Sequence, residues 1–122
     1  MSKYPQSFDS MLAAWNELDA DQIRGHLERA LSPAARFVDP TIVTEGIDEF
    51  EQNVRGFRAK YPDSRCERTS GVDSHHNLHR YSWAIHSGQG LIVAGFDVVE
   101  TDDAGLVARV EGFFGPLPPK VD

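Results

Sequence analysis

Apolar positions recur at helical spacing through Phe8, Met11, Leu12, Trp15 and Leu18, which predicts a first amphipathic helix. Asp19-Ala20-Asp21 interrupts it, and Asp19 or Asp21 is placed to cap a second helix carrying Ile23, Leu27 and Leu31. Pro33 is expected to end that helix. Ala35 to Asp39 reads as a short strand stopped by the Asp39-Pro40 pair, which favours a turn. Thr41 to Glu45 reads as a connection. Gly46 leads into a third helix with Ile47, Phe50, Val54, Phe57 and Tyr61 on one face, and Asp48, Glu49 and Glu51 suit the positive end of its dipole.

From Arg65 onward the period changes from helical to alternating. Arg65 to Asp73 is of mixed polarity and fits a strand or a loop. His79 to His86 alternates cleanly, with Tyr81, Trp83 and Ile85 on one face and Arg80, Ser82, Ala84 and His86 on the other. Ser87-Gly88-Gln89-Gly90 is a turn. Leu91 to Phe114 then forms two apolar runs around Asp102-Asp103-Ala104-Gly105, the pattern of an antiparallel hairpin. On the second run Arg109 and Glu111 alternate with Ala108, Val110 and Gly112, whereas the first lacks clean alternation, as a strand covered on both sides would.

The order helix, helix, strand, helix, then three or four hairpin-linked strands defines an α+β class: three helices, drawn from the N-terminal half, on one face of a curved, mostly antiparallel sheet. Such a cone encloses space for a ligand. No internal repeat is visible. One domain spanning 1–122 is expected, with 116–122 as a stiff tail after Pro116-Leu117-Pro118-Pro119.

The composition narrows the possible partners. A formal net charge of −7 opposes binding to nucleic-acid backbones and anionic membrane surfaces. No apolar run is long enough to span a bilayer, and Met1 to Pro5 lacks the apolar region of a signal peptide. With Cys66 as the sole cysteine, no internal disulfide can form, and a cytoplasmic protein is the default.

Asp97 lies within Val93-Ala94-Gly95-Phe96-Asp97-Val98-Val99, where a carboxylate is costly unless it is paired, hydrogen-bonded or protonated. It is either an edge residue facing solvent or a carboxyl facing a cavity. Asp39 is either a turn residue accepting a local N–H or a carboxylate at a cavity mouth, available as a general base. Two carboxyls in different apolar settings are a common way to separate acid from base. If the Arg80 face points inward, Arg80 needs an acid, and Asp97 on the next strand is the partner expected; if it points outward, Arg80 is solvated and Tyr81, Trp83 and Ile85 are core. His75, His76, His79 and His86 cluster in sequence without the spacing of a metal motif; alternation separates His79 from His86, and no metal or organic cofactor is expected. His86 fits a single proton-transfer group better than a metal ligand.

These residues resemble the NTF2-like, SnoaL-like superfamily over nearly the whole chain, and within it the bacterial ketosteroid isomerases. Phe37-Val38-Asp39-Pro40 is similar to the VEDP segment that holds the isomerases' general base. Phe96-Asp97-Val98-Val99 before Asp102 to Gly105 is similar to the IDVM segment of their hydrogen-bond-donating aspartate. Ala14 to Leu18 aligns with their ARYIEL segment, placing Trp15 where they carry an oxyanion-hole tyrosine. The resemblance implies an NTF2-like cone, a homodimer and a cofactor-independent isomerase or polyketide-cyclase-like enzyme moving a proton beside a carbonyl. It implies Asp39, Asp97 and Arg80 as catalytic residues and Trp15, Ser82, His86, Asn53 and Phe114 as ligand-binding ones. Arg80 in such a pocket would keep Asp97 ionised and select a smaller, polar ligand with a carbonyl, carboxylate or hydroxyl group. The dimer face would then carry Tyr81, Trp83 and Phe113. Limonene-type epoxide hydrolases on this fold use two aspartates around an arginine, a set that Arg80 and Asp97 could partly supply, with Ser82 at the second aspartate's place. The fold also hosts non-catalytic ligand-binding and dimeric interaction modules.

Overall fold

Leu31 is the residue at which the second helix gives way to the sheet, and the sheet sets the rest of the architecture. The computed structural model describes residues 4–121. Met1 to Lys3, within the segment expected to lack a leader's apolar region, and Asp122, the end of the expected tail, lie outside the described residues. Helix α1 (Ser7–Asn16) buries Phe8, Met11 and Ala14, and α2 (Ala20–Ala30) buries Ile23, Leu27 and Ala30. Asp19 caps α2, its side chain accepting from Asp21 N. The helix stops at Leu31, before the expected Pro33, because a residue preceding proline disfavours the α conformation and the chain is already extended.

Strand β1 (Leu31–Asp39) turns through Pro40-Thr41 into β2 (Ile42–Glu45). The sequence reading took this second segment for a connection. It is a strand of only four residues, too short for its alternation to show. Gly46, at φ 84, enters α3 (Ile47–Lys60), donating its N–H to Ala35 O. The ambiguous 65–73 stretch resolves into β3 (Arg65–Arg68) and, after a break, β4 (Asp73–His75), both paired with β5 (Leu78–Ser87). Strands β6 (Gly90–Thr101) and β7 (Val107–Phe114) complete the sheet.

The sheet order is β2-β1-β7-β6-β5-β3, with β4 also on β5. The β1–β7 pair is parallel and the others are antiparallel, so the sheet is mixed and mostly antiparallel. The three helices lie on its concave face around a core that includes Leu27, Phe50, Val54, Val99, Val107 and Val110. The fold is an α+β cone. No helix among the described residues is long and apolar enough to cross a membrane.

Two polar devices hold the helices to the sheet. Asn16, the last residue of α1, donates to Cys66 O at 2.8 Å and accepts from Cys66 N at 2.7 Å. Arg58 is buried on α3 with no carboxylate partner among the described residues. Its guanidinium donates instead to Glu17 O, Pro62 O, Ser64 O and Ser64 Oγ at 2.7–3.1 Å. Those acceptors satisfy the buried donors and tie the α1–α2 junction to the end of α3.

Candidate functional site

Residues 81, 83 and 85 of β5 face the helices, so the larger side chains decide which side of this strand is inside. Tyr81, Trp83 and Ile85 line the cavity. Arg80 points outward, 74% exposed, and pairs with Asp73 Oδ2 at 2.8 Å. Ser82 lies on that outer face with its N–H held by Ser70 Oγ, and His86 is exposed near Glu67. Arg80, Ser82 and His86 therefore do not line the cavity, contrary to the inward option. Burying Tyr81, Trp83 and Ile85 favours this orientation over burying a guanidinium. The arginine–aspartate set of the epoxide-hydrolase alternative is not assembled.

The cavity has a volume of about 380 Å³, within the range of small-molecule sites. Phe8, Met11, Leu12 and Trp15 of α1 and Asn53, Phe57 and Lys60 of α3 form its roof. The exposed Lys60 and Thr41 mark its rim. Trp15 is held edge-on to Phe50 and Phe57 at 5.7 and 5.6 Å. Phe114 closes one side. Asp39, Asp97, Trp15, Asn53 and Phe114 thus come together from five separate elements, in a space more apolar and aromatic than the expected polar pocket.

The floor is a row across the sheet. Asp97 is paired with Tyr81 on one side and Gly112 on the other, and Asp39 lies beyond Gly112. Asp97 accepts a hydrogen bond from Trp83 Nε1 at 2.9 Å. Burial pushes its carboxyl up to about 6; hydrogen bonding by Trp83 and then Tyr81 opposes that rise, and the Asp39 charge adds to it. Asp97's expected partner was Arg80, and an indole takes that place.

Asp39 does two things at once. It lines the cavity, and its Oδ1 accepts from Thr41 N, Thr41 Oγ1 and Ile42 N at 2.7, 2.7 and 3.1 Å, closing the β1–β2 turn. Burial pushes the Cys66 thiol up to about 12, so it is a neutral wall residue. Arg68 donates to Tyr4 Oη and Asp9 Oδ1, at 2.7 and 2.8 Å. Trp15 and Asn53 have no hydrogen-bond partner for their side chains among the described residues.

The histidines disperse. His79 is buried between Ser74 Oγ and Thr101 Oγ1, edge-on to Phe8, and burial lowers its proton affinity. His75 and His76 are exposed. Among the described residues no group of three or more His, Cys, Asp or Glu is placed to hold a metal ion.

The sequence offered Tyr81 and Trp83 as core or dimer-face residues and not as neighbours of Asp97, and it gave no sign of the two inner-face glycines, Gly95 and Gly112. Its available signal was residue size, since one face of β5 carries every large side chain from 81 to 85.

Neither a protein-family model nor a curated protein matches the sequence. Solved structures do. A candidate isomerase of the SnoaL-like family from Agrobacterium tumefaciens is 31% identical with a TM-score of 0.83, covering 91% of this chain and 96% of that one. An NTF2-like protein of unknown function from Exiguobacterium sp. has a TM-score of 0.73 at 17% identity, covering 91% of this chain and 99% of its own. A candidate SnoaL-like polyketide cyclase from Jannaschia sp. has a TM-score of 0.70 at 15% identity, covering 93% and 89%. The last two likenesses show the fold alone. At the identity and coverage of the first, on the cone described above, the chain belongs to the SnoaL-like family.

Proposed function

We propose that this protein is a cofactor-independent isomerase or cyclase that moves a proton beside a carbonyl of a small, largely apolar molecule, with Asp97 as the proton carrier. One observation carries the reading: Asp97 is a buried carboxyl in an aromatic-walled cavity, raised to about 6, where it exchanges protons near neutral pH. Its ionised form takes the proton from the carbon next to the carbonyl, and its acid form returns it at the new position. The free N–H groups of Trp15 and Asn53 are the donors available to a developing enolate oxygen, while the Tyr81 hydroxyl is engaged with Asp97. Asp39 was expected to be the base. With Oδ1 occupied three times by the turn, its part here is to hold negative charge beside Asp97.

The test is hydrogen–deuterium exchange at the acidic carbons of a panel of cyclic and aryl ketones. Asp97→Asn is expected to reduce protein-dependent exchange by about 10²–10⁴-fold, with Asp39→Asn affecting it less. Full exchange in Asp97→Asn removes Asp97 from the mechanism, and loss confined to Asp39→Asn exchanges the two roles.

The engagement of Asp39 in its turn favours one other reading, a binding module that holds an apolar ligand without chemistry. Ligand binding with no exchange by the unmutated protein would select it. Self-association belongs to either reading. With Tyr81 and Trp83 inside, the apolar outer surface is built on Phe96 stacked on Phe113 at 5.1 Å, with Val43 55% exposed. A homodimer through that face, in the reducing cytoplasm that suits a lone thiol, completes the proposal. Sedimentation of Phe113→Lys checks it, with a monomer expected.

A further inference from the structure

Trp83 reaches Asp97 along a diagonal. Its register partner on β6 is Gly95, two residues before Asp97. The missing side chain at 95 makes the seat: a Cβ there would stand 2.9 Å from Trp83 Cζ2 and run into the Phe113 carbonyl. With the indole so seated, Nε1 comes within 2.9 Å of Asp97 Oδ1. Phe114, the partner of Gly95 on β7, meets the indole edge-on at 6.0 Å.

We propose that Trp83 is the positioning residue of this site: seated on Gly95 and braced by Phe114, it holds Asp97 Oδ1 and leaves Oδ2 as the oxygen that carries the proton. The inference rests on the reading of Asp97 as proton carrier. An indole N–H donates and never accepts, so Oδ1 is always the acceptor of this bond. When Asp97 is protonated, its carbonyl oxygen is the better acceptor for the indole, so this bond favours the proton on Oδ2. A carboxyl without that tether could turn about its terminal torsion, which is broad and roughly two-fold, and exchange the two oxygens. Reprotonation at a defined carbon of a bound molecule needs a fixed proton source, and the tether supplies one.

The groups that bear on the charge of Asp97 come from three strands. Asp39 approaches from β1 across Gly112, Tyr81 from β5 and Cys66 from β3, where Arg68 acts on Tyr81 and Cys66. Trp83 is the first of the groups that favour the ionised carboxylate, ahead of Tyr81. Its removal therefore makes Asp97 harder to ionise.

The experiment is a ¹³C titration of the Asp97 carboxyl alongside the indole N–H resonance of Trp83, identified with the help of Trp15→Phe. In the otherwise native protein the indole resonance is expected to move with the same midpoint as Asp97 and to become independent of pH in Asp97→Asn. Trp83→Phe, which keeps a ring on Gly95, is expected to raise the Asp97 midpoint by about one pH unit, and Tyr81→Phe by less. An indole resonance unmoved by the Asp97 titration overturns the inference without any substitution at 83, as does an unchanged midpoint in a folded Trp83→Phe. No substrate enters this titration. Undiminished ketone exchange in Asp97→Asn would overturn the functional reading while leaving the Trp83 tether in place.

Discussion

Gly112 gives Asp97 the space its carboxyl occupies: a Cβ at position 112 would stand 2.9 Å from Asp97 Oδ1. Asp39 Cβ would lie 3.4 Å away on the other side. The absence of one side chain on β7 thus lets carboxyls from β1 and β6, two strands apart, face the same cavity. Gly112→Ala is expected to push Asp97 off the Trp83 indole and to cost about 1–3 kcal/mol, the usual penalty for overfilling a packed site. Urea unfolding gives the stability, and Trp83 fluorescence reports the displaced carboxyl.

Asp97 also makes stability depend on pH. Its folded-state value is about 6, above the ordinary value near 4, so the folded protein keeps a proton that the unfolded chain releases. The stabilisation is complete below about pH 4, is lost as pH rises towards 6, and stays lost above that. Relative to Asp97→Asn, the native protein is expected to lose on the order of 3 kcal/mol across that window. Paired denaturation curves from pH 3.5 to 8, roughly spanning both values, check the sign, and a native protein that loses stability relative to Asp97→Asn on acidification would contradict it.

Arg58 is the polar residue on which the helical layer most depends. Arg58→Met fills the volume but strands four oxygen acceptors, at Glu17, Pro62 and twice at Ser64. A loss of about 1–3 kcal/mol is expected, the cost of leaving buried acceptors without their donor. Thermal unfolding should show it as a lower midpoint with α1 and α3 released together.

Arg80 is the control. Its ion pair with Asp73 is 74% and 68% exposed, a class of contact worth little. Arg80→Ala is expected to change stability by less than about 0.5 kcal/mol, and to leave the Asp97 titration and any ketone exchange as they were. An altered Asp97 midpoint would place Arg80 back at the site.

The helices were legible because their apolar residues keep one period over ten or more positions, and the 91–114 hairpin because two apolar runs flank the Asp102–Gly105 turn. Strand β2 was not, since four residues give alternation too little length. The site was legible as a pair of carboxyls, Asp39 and Asp97, because an acid inside an apolar run needs an explanation. What surrounds them was less so. Charge complementarity favoured an inward Arg80 and bulk an outward one, so the sequence left the orientation of β5 open, and bulk decided it. The roles of Gly95 and Gly112 depend on contacts across strands, which lie 18 and 15 positions from Phe113 and Asp97 in the chain. A missing side chain carries no periodic signal, so these two positions emerge only when the strands are laid side by side.

Asn16 has a consequence for how copies of the chain can meet. Strand β3 is a free margin of the sheet, and an open margin invites a strand from another molecule to extend it. By engaging both the N–H and the C=O of Cys66, the Asn16 amide imitates one residue of a neighbouring strand and ends the ladder at that point. The first helix thereby acts as a stopper against runaway stacking, at a site where the chain carries its one oxidisable thiol.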